Sequence, residues 1–214
     1  MGQRYPVVLF DFDGTLVDSF AALVAIANRH ARHFGYPHLD QARCDRLRRM
    51  TARAVLRELG LPWWRWLCLL HRLRRDFAQD LPNLAPVPGM AELVRSLHGQ
   101  GYHLGIVSTN SRRNVERFLA QHQLDGCFEL IRGSSPPLGK ARLLRRLLRR
   151  QGWRPDQVLY VGDELRDIEA GQQIGMAVAA VSWGFNDPTL LGHEKPALLV
   201  QRPAELWEFL EGLT

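Results

Sequence analysis

The sequence predicts an α/β protein: a parallel sheet flanked by helices, with an all-helical insert after its first strand. Three observations carry this expectation. Beyond Gly101, short apolar runs alternate with helical stretches, the pattern of strand–helix–strand units in a parallel sheet. One similar run, Val7 to Phe10, stands far upstream of the others. Between them, from Val17 to Leu84, the periodicity is helical and no convincing strand occurs.

The elements follow in order. Val7 to Phe10 ends in an acid and Gly-containing turn and reads as a buried strand. Ser19 to Phe34 is helical, with Phe20, Leu23, Val24 and Ala27 on one face. Further helical stretches cover 40–59 and 63–80, separated by the breakers Gly60 and Pro62. Pro86-Val87-Pro88-Gly89 links into a helix over 89–99. Strands are then expected at His103–Ser108, Phe128–Ile131, Val158–Val161, Ala177–Val181 and Leu198–Val200. Helices are expected at 112–122, 139–151 and 165–174. The expected division is a core of residues 1–16 and 85–214 with an insert of residues 17–84.

Composition narrows the class. The chain has 214 residues, 46% of them apolar, enough to bury a sizeable core. No apolar run approaches a membrane span, and Met1 to Pro6 has no signal-peptide pattern. Cys44, Cys68 and Cys127 are widely spaced and form no zinc, redox or disulfide pattern, which predicts a reducing cytoplasm. The insert holds 12 Arg against 6 Asp or Glu, so it carries the whole net charge of +6. A basic segment can attract nucleic acid, an acidic membrane or a phosphorylated small molecule. The Trp63-Trp64-Arg65-Trp66 cluster is expected in the core of the insert. His30 and His33 share a helix face without a third ligand and read as surface residues.

In open α/β sheets, ligands bind beyond the carboxyl ends of the strands. Four motifs lie there. In Asp11-Phe12-Asp13-Gly14-Thr15-Leu16, alternate residues of an extended chain point the same way, so Asp11 and Asp13 flank one site. Close carboxylates repel, and such a pair holds a cation or shares a proton. Leu104-Gly105-Ile106-Val107-Ser108-Thr109-Asn110 puts a small hydroxyl and turning backbone at a strand end, which suits a phosphate oxygen. Lys140 opens an amphipathic helix whose buried face is Leu143, Leu144, Leu147 and Leu148 and whose arginines, from Arg142 to Arg150, face solvent. A lysine at a helix start opposes the dipole, and an anion facing it would explain its place. In Val161-Gly162-Asp163-Glu164-Leu165-Arg166-Asp167, Asp163 adds a third carboxylate for a hard cation.

These four motifs, in this order, resemble the haloacid dehalogenase superfamily, in the branch with a helical cap after the first motif. The resemblance covers essentially the whole chain and implies a Rossmann-like core. Gly162–Gly171 and the Ser182-Trp183-Gly184-Phe185 loop are similar to phosphoglycolate-phosphatase-like proteins. The resemblance implies that Asp11 is the nucleophile and forms an aspartyl-phosphate, and that Asp13 serves as acid and base. It implies Mg2+ held by the Asp11 carboxylate, the Asp13 backbone carbonyl and the Asp163 carboxylate. Ser108 and Lys140, with the backbone at Thr109 and Asn110, would bind phosphate oxygens. Thr15, Glu164 and Asp167 would stand behind them, orienting Lys140 or metal-bound water. Arg48, Arg49 and Thr51, near a helix break in the insert, would offer substrate contacts.

The expected activity is hydrolysis of a small phosphorylated metabolite, phosphoglycolate or a sugar phosphate. A phosphomutase using the same nucleophile is one alternative. A nucleic-acid-binding or scaffold protein using the basic insert is another. That second alternative predicts a degraded motif set, and here the set is intact. Nucleic acid is therefore not expected as a partner, nor is a membrane, since no apolar run is long enough to span one, and no motif specifies an oligomeric state.

Overall fold

Val7–Phe10 forms strand β1, buried on both faces as a run of four apolar residues requires. In the computed structural model, which describes residues 4–133 and 139–212, β1 lies at the centre of a parallel six-stranded sheet. The other strands are β2 (His103–Val107), β3 (Leu130–Arg132), β4 (Val158–Gly162), β5 (Ala177–Val181) and β6 (Leu198–Val200). The order is β3-β2-β1-β4-β5-β6. Val8 pairs with Leu104 on one side and Leu159 on the other. The carboxyl ends of β1, β2 and β4 therefore come out side by side.

Period-two alternation sorts the strand residues between two cores. Val8, Phe10, Leu159, Val161, Ala179 and Val181 join one core. It is completed by α5 (Met90–Gly99), α6 (Arg112–Gln121) and α10 (Pro203–Glu211). Val7, Leu9, Val158, Tyr160, Val178 and Ala180 face the other core. There they meet α7 (Lys140–Gln151), α8 (Leu165–Gln172) and α9 (Pro188–His193). The Leu face predicted for α7 is the buried one, and Arg142, Arg145, Arg146, Arg149 and Arg150 are exposed. Leu144 is fully buried beneath the sheet. Leu144→Ala is expected to cost about 2–5 kcal/mol, read as a lower urea midpoint with an unchanged slope.

Four helices lie between β1 and α5: α1 (Phe20–Phe34), α2 (Gln41–Arg48), α3 (Ala52–Glu58) and α4 (Trp63–Asp80). They enclose a core of their own from Ala31, Phe34, Tyr36, Leu59, Leu61 and Leu69. The helical stretch over 40–59 is divided into α2 and α3 at the break near Arg48, Arg49 and Thr51, where Thr51 is extended and caps α3, accepting from the Ala54 N–H at 3.3 Å. Several details depart from expectation. In α1 the fully buried residues are Ile26, Ala31 and Phe34, while Phe20, Leu23, Val24 and Ala27 are half-buried. Trp63 and Trp64 are 72% and 56% exposed, and of that cluster Trp66 packs on the insert's core. His30 is not a surface residue: it is half-buried and pairs with Asp76 at 2.7 Å. The helices α9 and α10 were not anticipated. Both start with a proline in the first turn, which is well suited to that place.

Cys44, Cys68 and Cys127 are free thiols. Among the described residues, no helix is long and apolar enough to cross a membrane.

Candidate active site

Asp11 follows β1 directly and is 3% exposed. Its Oδ1 accepts from the Phe12 N–H at 2.7 Å, and its Oδ2 accepts from Lys140 Nζ at 2.7 Å. Lys140, the first residue of α7, is also buried and makes a second ion pair with Asp167. Two carboxylates are thus the anions that face this helix-start lysine. Burial alone would lower the Lys140 pKa, but Asp11 and Asp167 outweigh it and hold the ammonium above its ordinary value. The Tyr160 ring lies 4.7 Å from Nζ. The Tyr160 hydroxyl donates to the Val107 carbonyl at 3.0 Å, so the ring is fixed.

Asp163, at the end of β4, is fully buried. Thr15 Oγ1 donates to its Oδ1 at 2.7 Å, and the Phe185 N–H donates to its Oδ2 at 2.7 Å. Gly14, with φ of +75°, lets the first loop reach this carboxylate. A Cβ there would lie 2.3 Å from Asp163 Oδ2. Asp167 is held from the other side, its Oδ2 accepting from the Glu164 N–H at 3.1 Å. Glu164 pairs with Arg166.

Asp13 lies across the mouth of the site. The Asn110 amide donates to both its oxygens, at 3.2 and 3.1 Å. Burial first, and then the Asp11 charge, push the Asp13 carboxyl up to about 7. Asn110 is itself held, its Oδ1 accepting from Ser111 N–H at 2.8 Å and from Asn114 Nδ2 at 2.9 Å. Ser108, at the end of β2, is buried, and its Oγ accepts from the Asn110 N–H at 3.0 Å. A hydroxyl that accepts one bond still carries its own proton for another partner. Thr109 lies between them, half-buried.

The structure thus gathers Asp11, Asp13, Ser108, Asn110, Lys140, Asp163 and Asp167 at the carboxyl ends of β1, β2 and β4. Three insert residues go elsewhere. Arg48 donates to backbone carbonyls of the core loop after β5, Arg49 pairs with Asp187 at 3.3 Å, and Thr51 caps α3. Sequence reasoning missed Tyr160, Asn114 and Arg166. Tyr160 had a signal, since a tyrosine inside a buried strand needs a partner for its hydroxyl. Arg166 offered none beyond its place in the fourth motif. Its guanidinium keeps a buried Nε without a partner, the one such side-chain atom among the described residues.

The donor set suits a hard cation. One oxygen each from Asp11, Asp163 and Asp167 lies within 4.8 Å of the others. Five acids (Asp11, Asp13, Asp163, Glu164 and Asp167) share the site with two cationic side chains, Lys140 and Arg166. Burial, followed by Glu164, Asp11 and Asp167, raises Asp163 well above the usual carboxylate range. Burial likewise raises Glu164 and Asp167, against the opposing pull of Arg166 and Lys140 respectively. A cluster of oxygens with excess negative charge is what a divalent ion would neutralise.

A parallel α/β sheet with clustered carboxylates, a buried lysine and a small hydroxyl at its carboxyl ends is the architecture of a phosphate-handling hydrolase. The chain belongs to the haloacid dehalogenase-like hydrolase family, whose model matches residues 8–181, and it is a phosphatase. It is 44% identical to a phosphoglycolate phosphatase of Synechococcus elongatus over 199 residues, covering 93% of this chain and 94% of that one. It is 29% identical to a phosphoglycolate phosphatase of Haemophilus influenzae, over 87% of this chain and 89% of that one. Among solved structures, a predicted phosphatase from Clostridium acetobutylicum superposes with a TM-score of 0.83 at 21% identity, over 98% and 99% of the two chains. That last likeness is one of fold.

Proposed function

We propose that this chain is a magnesium-dependent phosphatase of a small phosphomonoester, acting through a phosphorylated Asp11, with phosphoglycolate the first substrate to test. The observation that carries the reading is the buried cluster of Asp11, Asp163 and Asp167 around Lys140. Its similarity over almost the whole chain to phosphoglycolate phosphatases supports the substrate.

In this reading a carboxylate oxygen of Asp11 attacks phosphorus in line, and the bond to the leaving oxygen breaks. Asp13 gives that oxygen its proton. A water then attacks the phosphorus of the aspartyl-phosphate and passes a proton to Asp13. Cleavage of the bond between Asp11 and phosphorus releases inorganic phosphate and restores both carboxyls. Asn110, bonded to both Asp13 oxygens, holds that carboxyl in place.

Ser108 and Lys140 bind the non-reacting phosphate oxygens, with the backbone of Thr109 and Asn110. The Asp11 and Asp163 carboxylates and the Asp13 carbonyl would hold Mg2+, which when bound lowers the repulsion between an anionic phosphate and Asp11. Thr15 and Asp167 orient Asp163 and Lys140. Residues 17–84 form a cap over a core of 1–16 and 85–214, and exclude water while the phosphoryl group transfers.

The test is phosphate release from a panel of phosphorylated metabolites, including phosphoglycolate, and one generic aryl phosphate. Chelation with EDTA should abolish release, and added Mg2+ should restore it. Asp163→Asn should raise the Mg2+ requirement at least about tenfold. Release that is unaffected by chelator overturns the metal assignment. Loss of substrate without stoichiometric phosphate would show a mutase.

A further inference from the structure

The Asp163 carboxylate is held by a loop, and that loop is held in turn by the insert. Residues Ser182 to Asp187 follow β5 and wrap the end of β4. From one side Trp183 Nε1 donates to the Thr15 carbonyl at 3.2 Å, and the Thr15 hydroxyl donates to Asp163 Oδ1. From the other side the Phe185 N–H donates to Asp163 Oδ2. The Asn186 N–H donates to the Asp163 carbonyl at 3.3 Å. Asn186 Oδ1 accepts from the Leu165 N–H at 2.9 Å, at the start of α8.

Arg48, the last residue of α2, grips this loop from the insert. Its Nη2 donates to the Gly184 carbonyl at 2.8 Å and to the Ser182 carbonyl at 3.5 Å, and its Nε to the Phe185 carbonyl at 3.3 Å. A planar guanidinium spreads its donors over three nitrogens in a fixed fork and so reaches carbonyls set apart along one loop, whereas the three donors of an ammonium share one nitrogen. The guanidinium carbon also lies 5.1 Å from the Phe20 ring, and that ring packs edge-on against Phe185 at 5.7 Å. The grip is returned by the core. The Arg48 carbonyl, at the unsatisfied end of α2, accepts from the Asp187 N–H at 2.9 Å and from Asn186 Nδ2 at 3.2 Å. Carbonyls of three loop residues, Ser182, Gly184 and Phe185, thus converge on one side chain, 134 or more residues away in sequence.

We infer that Arg48 is a positioning residue that couples the seating of the helical insert to the orientation of the Asp163 carboxylate, through the loop Ser182–Asp187. It acts on the metal site without touching it. When the insert is seated, Arg48 pins the carbonyls of Ser182, Gly184 and Phe185. The Phe185 N–H and the Trp183 indole are then fixed against Asp163 and Thr15. When Arg48 lets go, the loop loses its hold and Asp163 loses the donor that sets its Oδ2. The site takes its cation most tightly when it is covered. This inference rests on the assignment of Asp163 as a metal ligand.

The experiment is calorimetric titration of the full chain with Mg2+ alone, with no substrate present. Arg48→Met keeps the aliphatic stem and removes the donors. It is expected to weaken Mg2+ binding by about tenfold, within the range seen when outer partners of a metal ligand are removed. Arg48→Lys should recover only part of that loss, because a single ammonium nitrogen does not span the carbonyls that Nε and Nη2 reach separately. Asn186→Ala removes one of the two bonds that tie the same loop to the carbonyl of Arg48, leaving that of the Asp187 N–H, and should weaken Mg2+ in the same direction but by less. It also serves as the test if circular dichroism shows that Arg48→Met does not fold. Wild-type Mg2+ affinity in the folded variant overturns the inference. That holds equally if KM for the phosphoester rises, since Arg48 would then be a substrate contact. Asp163→Asn is titrated alongside. Undiminished Mg2+ binding in that variant would sink the assignment of Asp163 itself, a different result from undiminished binding in Arg48→Met alone.

Discussion

Asp11→Asn is expected to lower phosphate release by at least about 10⁴-fold, because it removes the group that carries the phosphoryl intermediate while substrate binding stays in place. Asparagine matches aspartate in shape, so the fold should persist. Its amide nitrogen would face either the Phe12 N–H or Lys140 Nζ, both donors that now point at Asp11. That mismatch costs about 1–3 kcal/mol. Release should therefore be measured on protein that circular dichroism shows to be folded, with every panel substrate at saturation. Residual release above about one per cent would mean that another group attacks phosphorus, or that water does so directly.

Lys140→Met should damage stability and activity together. Lys140 is the cation between Asp11 and Asp167, and all three are buried. Removing one member of a buried ion network leaves uncompensated charge and costs about 3–5 kcal/mol. The methionine fills the space over Tyr160 but neutralises neither carboxylate. Urea denaturation should show the loss as a lower midpoint. Phosphate release should fall by roughly 10²–10³-fold at saturating Mg2+, since a charge aimed at the transferring oxygens is lost. The two readouts separate the roles. Lost stability with full activity would make Lys140 a structural counter-ion only, and lost activity with full stability would mean that Asp11 and Asp167 find another cation.

Much of this site was legible in the linear chain. Asp11, Asp13, Ser108, Lys140 and Asp163 stand at strand ends or helix starts, and apolar periodicity located those ends closely. Strand β1 and strand β5 have the expected bounds, because continuous apolar runs buried on both faces have one way to be satisfied. The insert was less legible. A helix exposed on one side tolerates many residues, so pattern alone did not show which residues of the insert would be buried. Nor did it show that Trp63 and Trp64 would face outward.

What the sequence determined by itself is the order of strand and helix and the acidic, hydroxyl and lysine positions at their ends. Those depend on local periodicity and on residue chemistry. The tertiary structure alone decided the partners: Lys140 on both Asp11 and Asp167, Asn110 on Asp13, and Arg48 on the loop that holds Asp163. Such contacts join residues far apart in the chain, between 27 and 137 positions here. The energy that selects them is the cost of burying a charge or a carbonyl without a partner. That cost arises only once the sheet has closed over them, and so no local pattern announces it.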